Sequence, residues 1–537
     1  MKSNHAVNLR CALWAALLIA AVPVQAQEAQ SRVQVEQFLV TGNTLLPQTK
    51  LDAALAPFKG ERSMAELNRA AQAVQELYRQ AGYGAVIAYV PEQMAGPAGT
   101  TTIAVLEGQV ARVVVSGNQR FSELNIRRSL PLLAEGRTPQ VVGLDSQIKL
   151  ANENPAKQVA VSLEAGQAPG EVYANVLVTE QPVQRWIVSV DNTGNASTGR
   201  LRANLAYQHA ALWDLDHVLG LQFQFAPEKP RAVAVLSASY RVPLYAQGMS
   251  FDAFLAHSNV DGGSTGTAAG PLQFSGQGDI AALRLTKYLQ RQGEVEQRLA
   301  VGFDQRAYKN ECSIGGLPSG ACGNAGESVT VHPLSLEYSV QRESDNPVNL
   351  TLAFMHNLAL GGRFGGPENF DAVRPGASRN YNIGRVNFSG STQVAPQWQV
   401  QARLSAQYSR SALVPGEQYG VGGASSVRGY EEREIVGDRG LYGSVELHAP
   451  QLAETANSAL AGLRLLAFAD AGKVHNLLGT PCLVNRSSCD LASFGVGGRL
   501  GVGRLQVRLD VAHTVKAAAR TGRNDTAAHF VASYSFQ

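Results

Sequence analysis

The sequence predicts an α+β part followed by an all-β membrane barrel, and three observations support this fold class. A short strand-and-turn pattern occurs twice near the start and is followed each time by helical spacing. From Arg185 onward the apolar period changes to two, which indicates strands. Beyond the first residues there is no run of about 18 apolar residues, which excludes helical membrane spans.

The N-terminus predicts an export signal over residues 1–26. Lys2 and Arg10 precede an apolar run from Ala12 to Val22, and Val24-Gln25-Ala26 supplies small residues for cleavage. About eleven apolar residues are too few to cross a hydrocarbon core of about 30 Å, so a membrane helix is not expected here. The mature chain would then begin near Gln27.

The composition argues against several classes of function. Lys plus Arg number 46 against 43 Asp plus Glu, a balance that does not suit a nucleic-acid partner. Neither a nucleophile elbow nor a metal-ligand pattern occurs, and the glycine-rich run at Gly420 lacks the lysine of a phosphate loop. The sequence therefore predicts a protein that is not an enzyme, with no catalytic residue, metal or cofactor.

Four cysteines remain once the signal with Cys11 is removed, and they form two close pairs. Cys312 and Cys322 lie in one Gly/Ser/Asn-rich stretch, and Cys482 and Cys489 lie in another. An even number in an exported chain indicates disulfides that each close one small loop. Free thiols are the alternative.

The repeated pattern predicts two copies of one small module, at residues 33–108 and 109–182. Residues 35–43 and 110–118 both read as a strand ending in Gly-Asn, and Leu46 and Phe121 occupy the matching apolar position after the turn. In the first copy, Ser63 and Glu66 form a capping box before an apolar helical stripe of Leu67, Ala70, Ala71, Val74, Leu77 and Tyr78. Each copy is expected to have the order β-α-α-β-β, with a break at Asn154-Pro155 in the second.

Residues 183–537 predict an antiparallel barrel. In residues 505–511, for example, Leu505, Val507, Leu509 and Val511 alternate with Gln506, Arg508 and Asp510. A soluble sandwich also alternates, but here charged residues occupy the polar side of long strands and the loops are very uneven. Strands of about 10 residues plus loops give sixteen as a natural count for this length. Lipid accepts only a closed barrel, because an open edge would leave backbone groups unsatisfied.

Two short motifs in the barrel region are more distinctive than the alternation of the strands. Val427-Arg428-Gly429-Tyr430 follows a glycine-rich run, and alternation places Phe468, Asp470 and Gly472 on the lumen side of a later strand. Together, behind a duplicated module, they resemble the signature of two-partner secretion transporters of the TpsB type, the ShlB/FhaC/HecB family. The resemblance covers nearly the whole mature chain and identifies the modules as two POTRA domains.

The resemblance implies a function and a site. The long sixth loop, around residues 413–440, would fold into the barrel, where Arg428 would pair with Asp470. POTRA domains in the periplasm would capture an unfolded TpsA-like exoprotein, a haemolysin or adhesin, and the outer-membrane barrel would export it without ATP. Expected partners are that exoprotein, outer-membrane lipid and lipopolysaccharide, and the barrel-assembly machinery that inserts the chain. We expect a monomer.

Departures from the family pattern and alternative functions remain. Gln27 to Arg32 leaves no room for the plug helix and linker of many family members, so the loop alone is expected to close the barrel. The last strand ends on Phe536 followed by Gln537. The run from Glu431 to Glu434 is expected to be a solvated extension of the loop. Alternative functions are a barrel-assembly factor of the same superfamily and, from other classes, a passive porin or an outer-membrane enzyme.

Overall fold

The computed structural model describes residues 32–92, 99–196, 198–230, 233–259, 263–267, 270–274, 277–309, 327–452 and 462–536. The predicted signal peptide (1–26) and the pair Cys312 and Cys322 lie outside these ranges. Within them, no helix has the length and apolar character needed to cross a membrane. The chain divides into two compact units, one of which is the first module and the other the second module with the barrel.

The first module is a small sheet with two helices. Its elements are β1 (Arg32–Val35), β2 (Gln37–Thr41), α1 (Gln48–Leu55), a 3-10 turn (Ala56–Phe58), β3 (Gly60–Ser63), α2 (Met64–Gln80), β4 (Val86–Tyr89) and β5 (Thr100–Glu107). Strand β5 lies between β2, its parallel neighbour, and β4, while β1 pairs with β3.

Helix α2 begins at the predicted capping box. The Ser63 backbone N–H donates to the Glu66 carboxylate at 2.9 Å, and the Glu66 backbone N–H donates to Ser63 Oγ at 3.4 Å. The stripe that follows is buried at Leu67, Ala70, Ala71, Val74 and Tyr78, whereas Leu77 is half-buried. This stripe is the core of the module.

The second module repeats the three-stranded sheet and the two helices of the first, without a counterpart of the β1–β3 pair. Its elements are β6 (Gln109–Ser116), α3 (Glu123–Ser129), α4 (Val141–Asn152), β7 (Lys157–Ala165) and β8 (Glu171–Glu180), with β8 between its parallel neighbour β6 and β7. The two Gly-Asn turns also match. Gly42 and Gly117 have φ of +80° and +82°, and a Cβ on either would lie 2.2 Å from the carbonyl oxygen of Val105 or Val178. Only glycine fits such a turn.

The barrel is closed and has sixteen antiparallel strands among the described residues. They are β9 (Gln184–Asp191), β10 (Arg202–Leu212), β11 (His217–Phe225), β12 (Ala234–Leu244), β13 (Met249–Ser258), β16 (Gln277–Tyr288), β17 (Val295–Lys309), β18 (Val329–Val331) continued by β19 (Pro333–Arg342), β20 (Val348–Asn357), β21 (Asn382–Ala395), β22 (Trp398–Ser409), β25 (Arg439–Gln451), β26 (Arg464–His475), β27 (Ser488–Val502), β28 (Leu505–Thr514) and β29 (Thr526–Phe536). Strand β29 pairs with β9 and closes the cylinder. The predicted class and strand count are confirmed.

Alternation along the strands separates an apolar outside from a polar lumen. In β25, Leu441, Val445 and Leu447 are exposed on the outside, whereas Ser444 and Glu446 are buried within. An outward apolar band is what a lipid-facing barrel presents. The order of the strands gives the barrel two ends, which we call proximal (the turns that face the second module, such as 213–216) and distal (the loops such as 358–381, 410–438 and 476–487).

The remaining elements lie in turns and loops. They are 3-10 turns at Tyr245–Gln247 and Pro415–Glu417, β14 (Gly263–Thr267) paired with β15 (Gly270–Phe274), helix α5 (Pro367–Val373), and β23 (Tyr419–Val421) paired with β24 (Ile435–Gly437). At the distal end a disulfide joins Cys482 to Cys489.

Candidate functional site: a loop fastened inside the barrel

The candidate site is the inward loop, residues 410–438, which connects β22 to β25. Its hairpin β23–β24 presents apolar side chains to the barrel wall. The loop residues Val421, Val427 and Tyr430 and the wall residues Val474 and Leu491 belong to one buried cluster. The loop therefore packs against the inner wall as a core would and is not a solvated surface segment.

Arg428 is fully buried and makes a two-point contact with Asp470 of β26. Its Nε lies 2.7 Å from Asp470 Oδ2 and its Nη2 lies 2.8 Å from Oδ1, while its backbone N–H also donates to Oδ2 at 3.2 Å. The guanidinium lies over the Phe468 ring, 3.4 Å from the centroid. A planar guanidinium suits both contacts, since it pairs with a carboxylate through two donors and stacks on an aromatic face.

Two further carboxylates surround the same guanidinium. Arg428 Nη1 lies 2.8 Å from Glu446 Oε1, outside hydrogen-bond geometry, and 3.6 Å from Asp510 Oδ2. These carboxylates have partners on the wall. Arg403 Nη2 lies 2.7 Å from Glu446, and Arg499 and Arg508 each approach Asp510 to 2.7 Å. By contrast, every hydrogen bond that the described residues make to the Asp470 carboxylate comes from Arg428.

The glycines of both motifs allow the loop to approach the wall. Gly429 has φ +95°, and its N–H donates to His529 Nε2 at 2.8 Å. A Cβ on Gly472 would lie 2.5 Å from Val421 Cγ1 and 3.2 Å from Val427 Cγ2. The structure thus places Phe468, Asp470 and Gly472 on the lumen side, where each contacts the inward loop or its arginine.

The other motif residues fix the tip of the loop. Val427 is fully buried, and the Tyr430 hydroxyl lies 3.0 Å from the Ala492 carbonyl oxygen and 2.7 Å from that of Lys516. Since a hydroxyl has one hydrogen, it can donate to only one of these carbonyls at a time. Tyr430 therefore ties the loop to strand β27 and to the loop that follows β28.

The expectation of a solvated run at Glu431 to Glu434 is wrong. Glu434 is buried, and its carboxylate accepts from the backbone N–H groups of Arg520 and Thr521 at 2.6 and 3.0 Å. Glu432 is half-buried and accepts from the Ala424 N–H at 2.8 Å. Once the loop is inside the barrel, these backbone N–H groups need acceptors, and the carboxylates of the run supply them.

A second buried carboxylate fastens the start of the loop. Glu417 is fully buried and accepts from Arg306 Nη1 at 3.0 Å and from the Tyr308 hydroxyl at 2.8 Å. Both partners lie on β17, which is across the barrel from β26 in strand order. The loop is thus attached to more than one side of the cylinder.

A cavity of about 530 Å³ remains between the inward loop and strands β9 to β12. Its lining combines apolar side chains with uncharged polar ones, which are Ser189, Asn204, Gln208, Gln224, Ser237 and Ser239. The loop contributes Ala424, Ser425 and Glu432. The inward loop therefore fills one side of the lumen and leaves this cavity on the other.

The second module is joined to the proximal end of the barrel by a buried ion pair. Lys157 Nζ lies 2.6 Å from Asp216 Oδ2 in the turn after β10, and neither side chain is exposed by more than 1%. Asn125 and the Tyr245 hydroxyl complete the cluster, donating to the same carboxylate at 3.0 and 2.5 Å. At the predicted break, Asn154 Nδ2 donates to the Ala210 carbonyl oxygen of β10 at 2.6 Å.

Sequence reasoning missed most of the residues around Arg428. Alternation did place Asp510 on the polar side of its strand, and this was the only signal for it. Pairing of Ser444 with Asp470 brings Glu446 near the arginine, and this register is not visible in the strands taken singly. Among the described residues, no cluster of His, Cys, Asp and Glu could hold a metal ion.

Comparisons with known proteins agree with this architecture. A family model for the haemolysin secretion/activation protein ShlB/FhaC/HecB matches residues 172–499, and a model for the ShlB-type POTRA domain matches residues 33–108. The outer membrane transporter CdiB of Dickeya dadantii is 24% identical over 455 residues, 81% of this chain and 75% of that protein. The heme/hemopexin transporter protein HuxB of Haemophilus influenzae is 29% identical over 33% of this chain and 31% of its own length.

A solved structure is similar over nearly its whole length. The structure of CdiB from Escherichia coli superimposes with a TM-score of 0.74 at 18% identity, covering 97% of this chain and 94% of that one. At this identity the likeness shows the shared fold.

Proposed function

Because this chain belongs to the ShlB/FhaC/HecB family of haemolysin secretion/activation proteins, we propose that it exports one partner exoprotein through its barrel. Its barrel lies in the outer membrane and its POTRA domain lies in the periplasm. The proximal end then faces the periplasm, and the distal loops face the outside of the cell. Members of the family are transporters of the TpsB type.

One observation carries the proposal: the lumen is occupied by the chain's own loop, held there by ion pairs and not by covalent bonds. A permanently open porin does not need a segment that packs against its inner wall and can leave it. When the loop leaves, Asp470 loses its hydrogen bonds from Arg428, but water entering the lumen can hydrate the carboxylate. The loop in its seat is thus a closed state, and hydration of the lumen would offset part of the free energy needed to open it.

The lining of the remaining cavity suits an unfolded polypeptide. Serine, asparagine and glutamine side chains there can exchange hydrogen bonds with a passing backbone and do not select one sequence. ATP is absent outside the inner membrane, so the proposed driving force is folding of the cargo beyond the distal end. The cargo would be a TpsA-like haemolysin or adhesin.

The periplasmic modules would receive this cargo. Residues 109–182 form a second POTRA domain in this proposal, supported by the β-α-α-β-β order and the matching glycine turns at Gly42 and Gly117. Exposed sheet edges accept an extended segment by backbone pairing, which demands little of its sequence. Residues 183–537 would be the barrel. It would be inserted by the barrel-assembly machinery among lipid and lipopolysaccharide, and would act as a monomer.

The test is export of the exoprotein by variants of the two motifs. Arg428→Ala and Asp470→Ala should each lower the amount in the medium by about 10-fold or more. The first leaves Asp470 buried without a side-chain hydrogen-bond donor, and the second removes the two-point contact that seats Arg428; in both, a loop out of its seat would obstruct the lumen. The amount of folded barrel in the outer membrane should stay near that of the wild type.

The matched control is Arg410→Ala, which removes the same charge from an exposed position at the start of the same loop. It should export normally. Normal export by both motif variants, with wild-type amounts of barrel, would refute the role of the pair.

A further inference from the structure

Three distal loops meet at one buried carboxylate, Asp438, the last residue of the inward loop. Its Oδ1 lies 2.5 Å from Arg374 Nη1 and its Oδ2 lies 2.9 Å from Arg374 Nη2. The carboxylate also accepts from the backbone N–H groups of Leu413 and Leu477, at 2.8 and 2.7 Å. Arg374 belongs to loop 358–381 and Leu477 to loop 476–487, so a single side chain connects all three loops.

Arg374 connects its own loop to the other two. Its guanidinium donates to the carbonyl oxygens of Leu413 and Leu477, at 2.6 and 3.2 Å, and to Thr480 Oγ1 at 3.3 Å. The side chain of Asp438 is 0% exposed and that of Arg374 is 6% exposed. Because both side chains are buried where the three loops meet, the pair forms only when the three loops are together.

Packing brings the arginine to this place. Helix α5 ends at Val373, and Phe370 and Val373 are buried against Leu413 and Val414 of the inward loop. Arg374 follows directly in extended conformation. The helix thus covers the start of the inward loop and delivers the guanidinium to its last residue.

We propose that Arg374 and Asp438 form a clasp that holds the distal opening of the barrel shut, separately from the Arg428 anchor in the lumen. This inference deepens the proposed function, on which it rests for the need to open. An exported polypeptide that leaves the lumen has to pass the three loops. Arg374 and Asp438 are positioning residues, since they act by placing the loops.

One donor of the clasp lacks a partner, which makes the clasp easier to open. Arg374 Nε is buried, and the described residues offer it no hydrogen-bond partner. A buried donor left unsatisfied offsets part of the gain from the fork. Once the loops separate, water can reach all of these groups.

The disulfide supports the third loop. Cys489 is the second residue of β27, and its bond to Cys482 holds the loop against that strand just beyond Leu477 and Thr480. The Cys482 N–H also donates to the Arg486 carbonyl oxygen at 2.7 Å. Reduction should therefore loosen the loop that gives the pair its Leu477 and Thr480 contacts, and so weaken the clasp without changing its two side chains.

The experiment measures ion conductance of the purified full-length protein in planar lipid bilayers. Asp438→Asn and Arg374→Gln should each raise the fraction of time spent in high-conductance states. The shift in the closed-to-open ratio should reach about 100-fold, as loss of one partner of a buried pair implies. Asp371→Asn is the control, because it removes a carboxylate charge from an exposed position on the same loop as Arg374.

A second measurement uses the folded protein without changing the clasp residues. In a Cys312→Ser/Cys322→Ser background, a mild reductant should raise the open fraction by less than Asp438→Asn does. It should have no effect once Cys482 and Cys489 are also serine. This reductant measurement tests the clasp if a clasp variant fails to insert into the membrane.

Wild-type conductance in Asp438→Asn and Arg374→Gln overturns the clasp, as does an equal increase in Asp371→Asn. If neither clasp variant inserts, an open fraction unchanged by the reductant overturns it. Conductance needs no cargo, so these outcomes are separate from failure of the proposed function, which would appear as normal export by the Arg428 and Asp470 variants.

Discussion

Two fully buried ion pairs, Arg428 with Asp470 and Lys157 with Asp216, hold different parts of the molecule in different ways. The arginine lies in a lumen among three carboxylates and three further arginines, Arg403, Arg499 and Arg508. The lysine lies between the second module and the first proximal turn, with its Nζ 5.0 Å from the centroid of the Phe121 ring.

The difference concerns what happens when each pair breaks. In the lumen, Glu446 and Asp510 would keep arginine partners on the wall if Arg428 left. At the junction, Lys157 and Asp216 are covered by Phe121, Asn125 and Tyr245, and burial lowers the pKa of the lysine. Under the proposed function, similar contacts would thus serve a releasable fastening in one place and a fixed joint in the other.

The largest effect should come from breaking the joint. Lys157→Met leaves Asp216 buried without its cation, and we expect the free energy of local opening at the junction to fall by about 3–5 kcal/mol. Hydrogen exchange of α3 and of residues 213–216 in the full-length protein measures it.

Two further variants sharpen this result. Adding Asp216→Asn to Lys157→Met should recover part of the loss, because the uncompensated charge is gone. Arg120→Met, which removes a half-exposed arginine 3.9 Å from Glu180, should cost at most about 1 kcal/mol. Equal hydrogen exchange in Lys157→Met and in the wild type would show that the Lys157–Asp216 pair does not fix the junction, and the contrast with the Arg428–Asp470 pair would be lost.

A smaller effect is expected where the inward loop touches the wall without charge. Gly472→Ala places a Cβ 2.5 Å from Val421, so the loop has to shift, at a cost of about 1–3 kcal/mol. The measurement is protease cleavage within residues 410–438 in intact outer membranes. Gly384→Ala, on a strand where an added Cβ meets nothing within 4 Å, is the control.

The smallest effect concerns a half-buried carboxylate at the start of α2. Hydrogen bonds from the Ser63 backbone N–H and hydroxyl lower the pKa of Glu66 from 4.5 to about 2. Because the folded pKa is the lower one, the stabilisation is present above pH 4.5 and is lost as the pH falls from about 4.5 to about 2. Faster exchange in the first turn of α2 over this range would show it, and Glu66→Gln should abolish the dependence. A pH-independent wild type would contradict the assignment.

The sequence was most informative where a local pattern determines the structure. The capping box, the glycine turns and the alternation of β25 to β28 follow from residues close together in the chain. The side on which Phe468, Asp470 and Gly472 lie follows from alternation alone, whereas their proximity to Arg428 was expected only from the family resemblance.

Contacts between distant segments could not be predicted. Arg374 and Asp438 are 64 residues apart, and Lys157 and Asp216 are 59 apart, with no repeated spacing to connect them. Which acids surround Arg428 depends on the register of β25, β26 and β28, and a shift of one residue would turn Glu446 or Asp510 outward. Glu434 was misjudged because a charged run is usually solvated, and its partners lie on a loop more than 80 residues away.

The charges around Arg428 have one more consequence. Asp470, Glu446 and Asp510 belong to the wall, and so do Arg403, Arg499 and Arg508, whereas Arg428 alone arrives with the loop. In the proposed open state the surplus positive charge would leave with the loop, and this ring of wall side chains would carry three negative and three positive charges. A chain carrying either acidic or basic stretches could then slide past without being trapped.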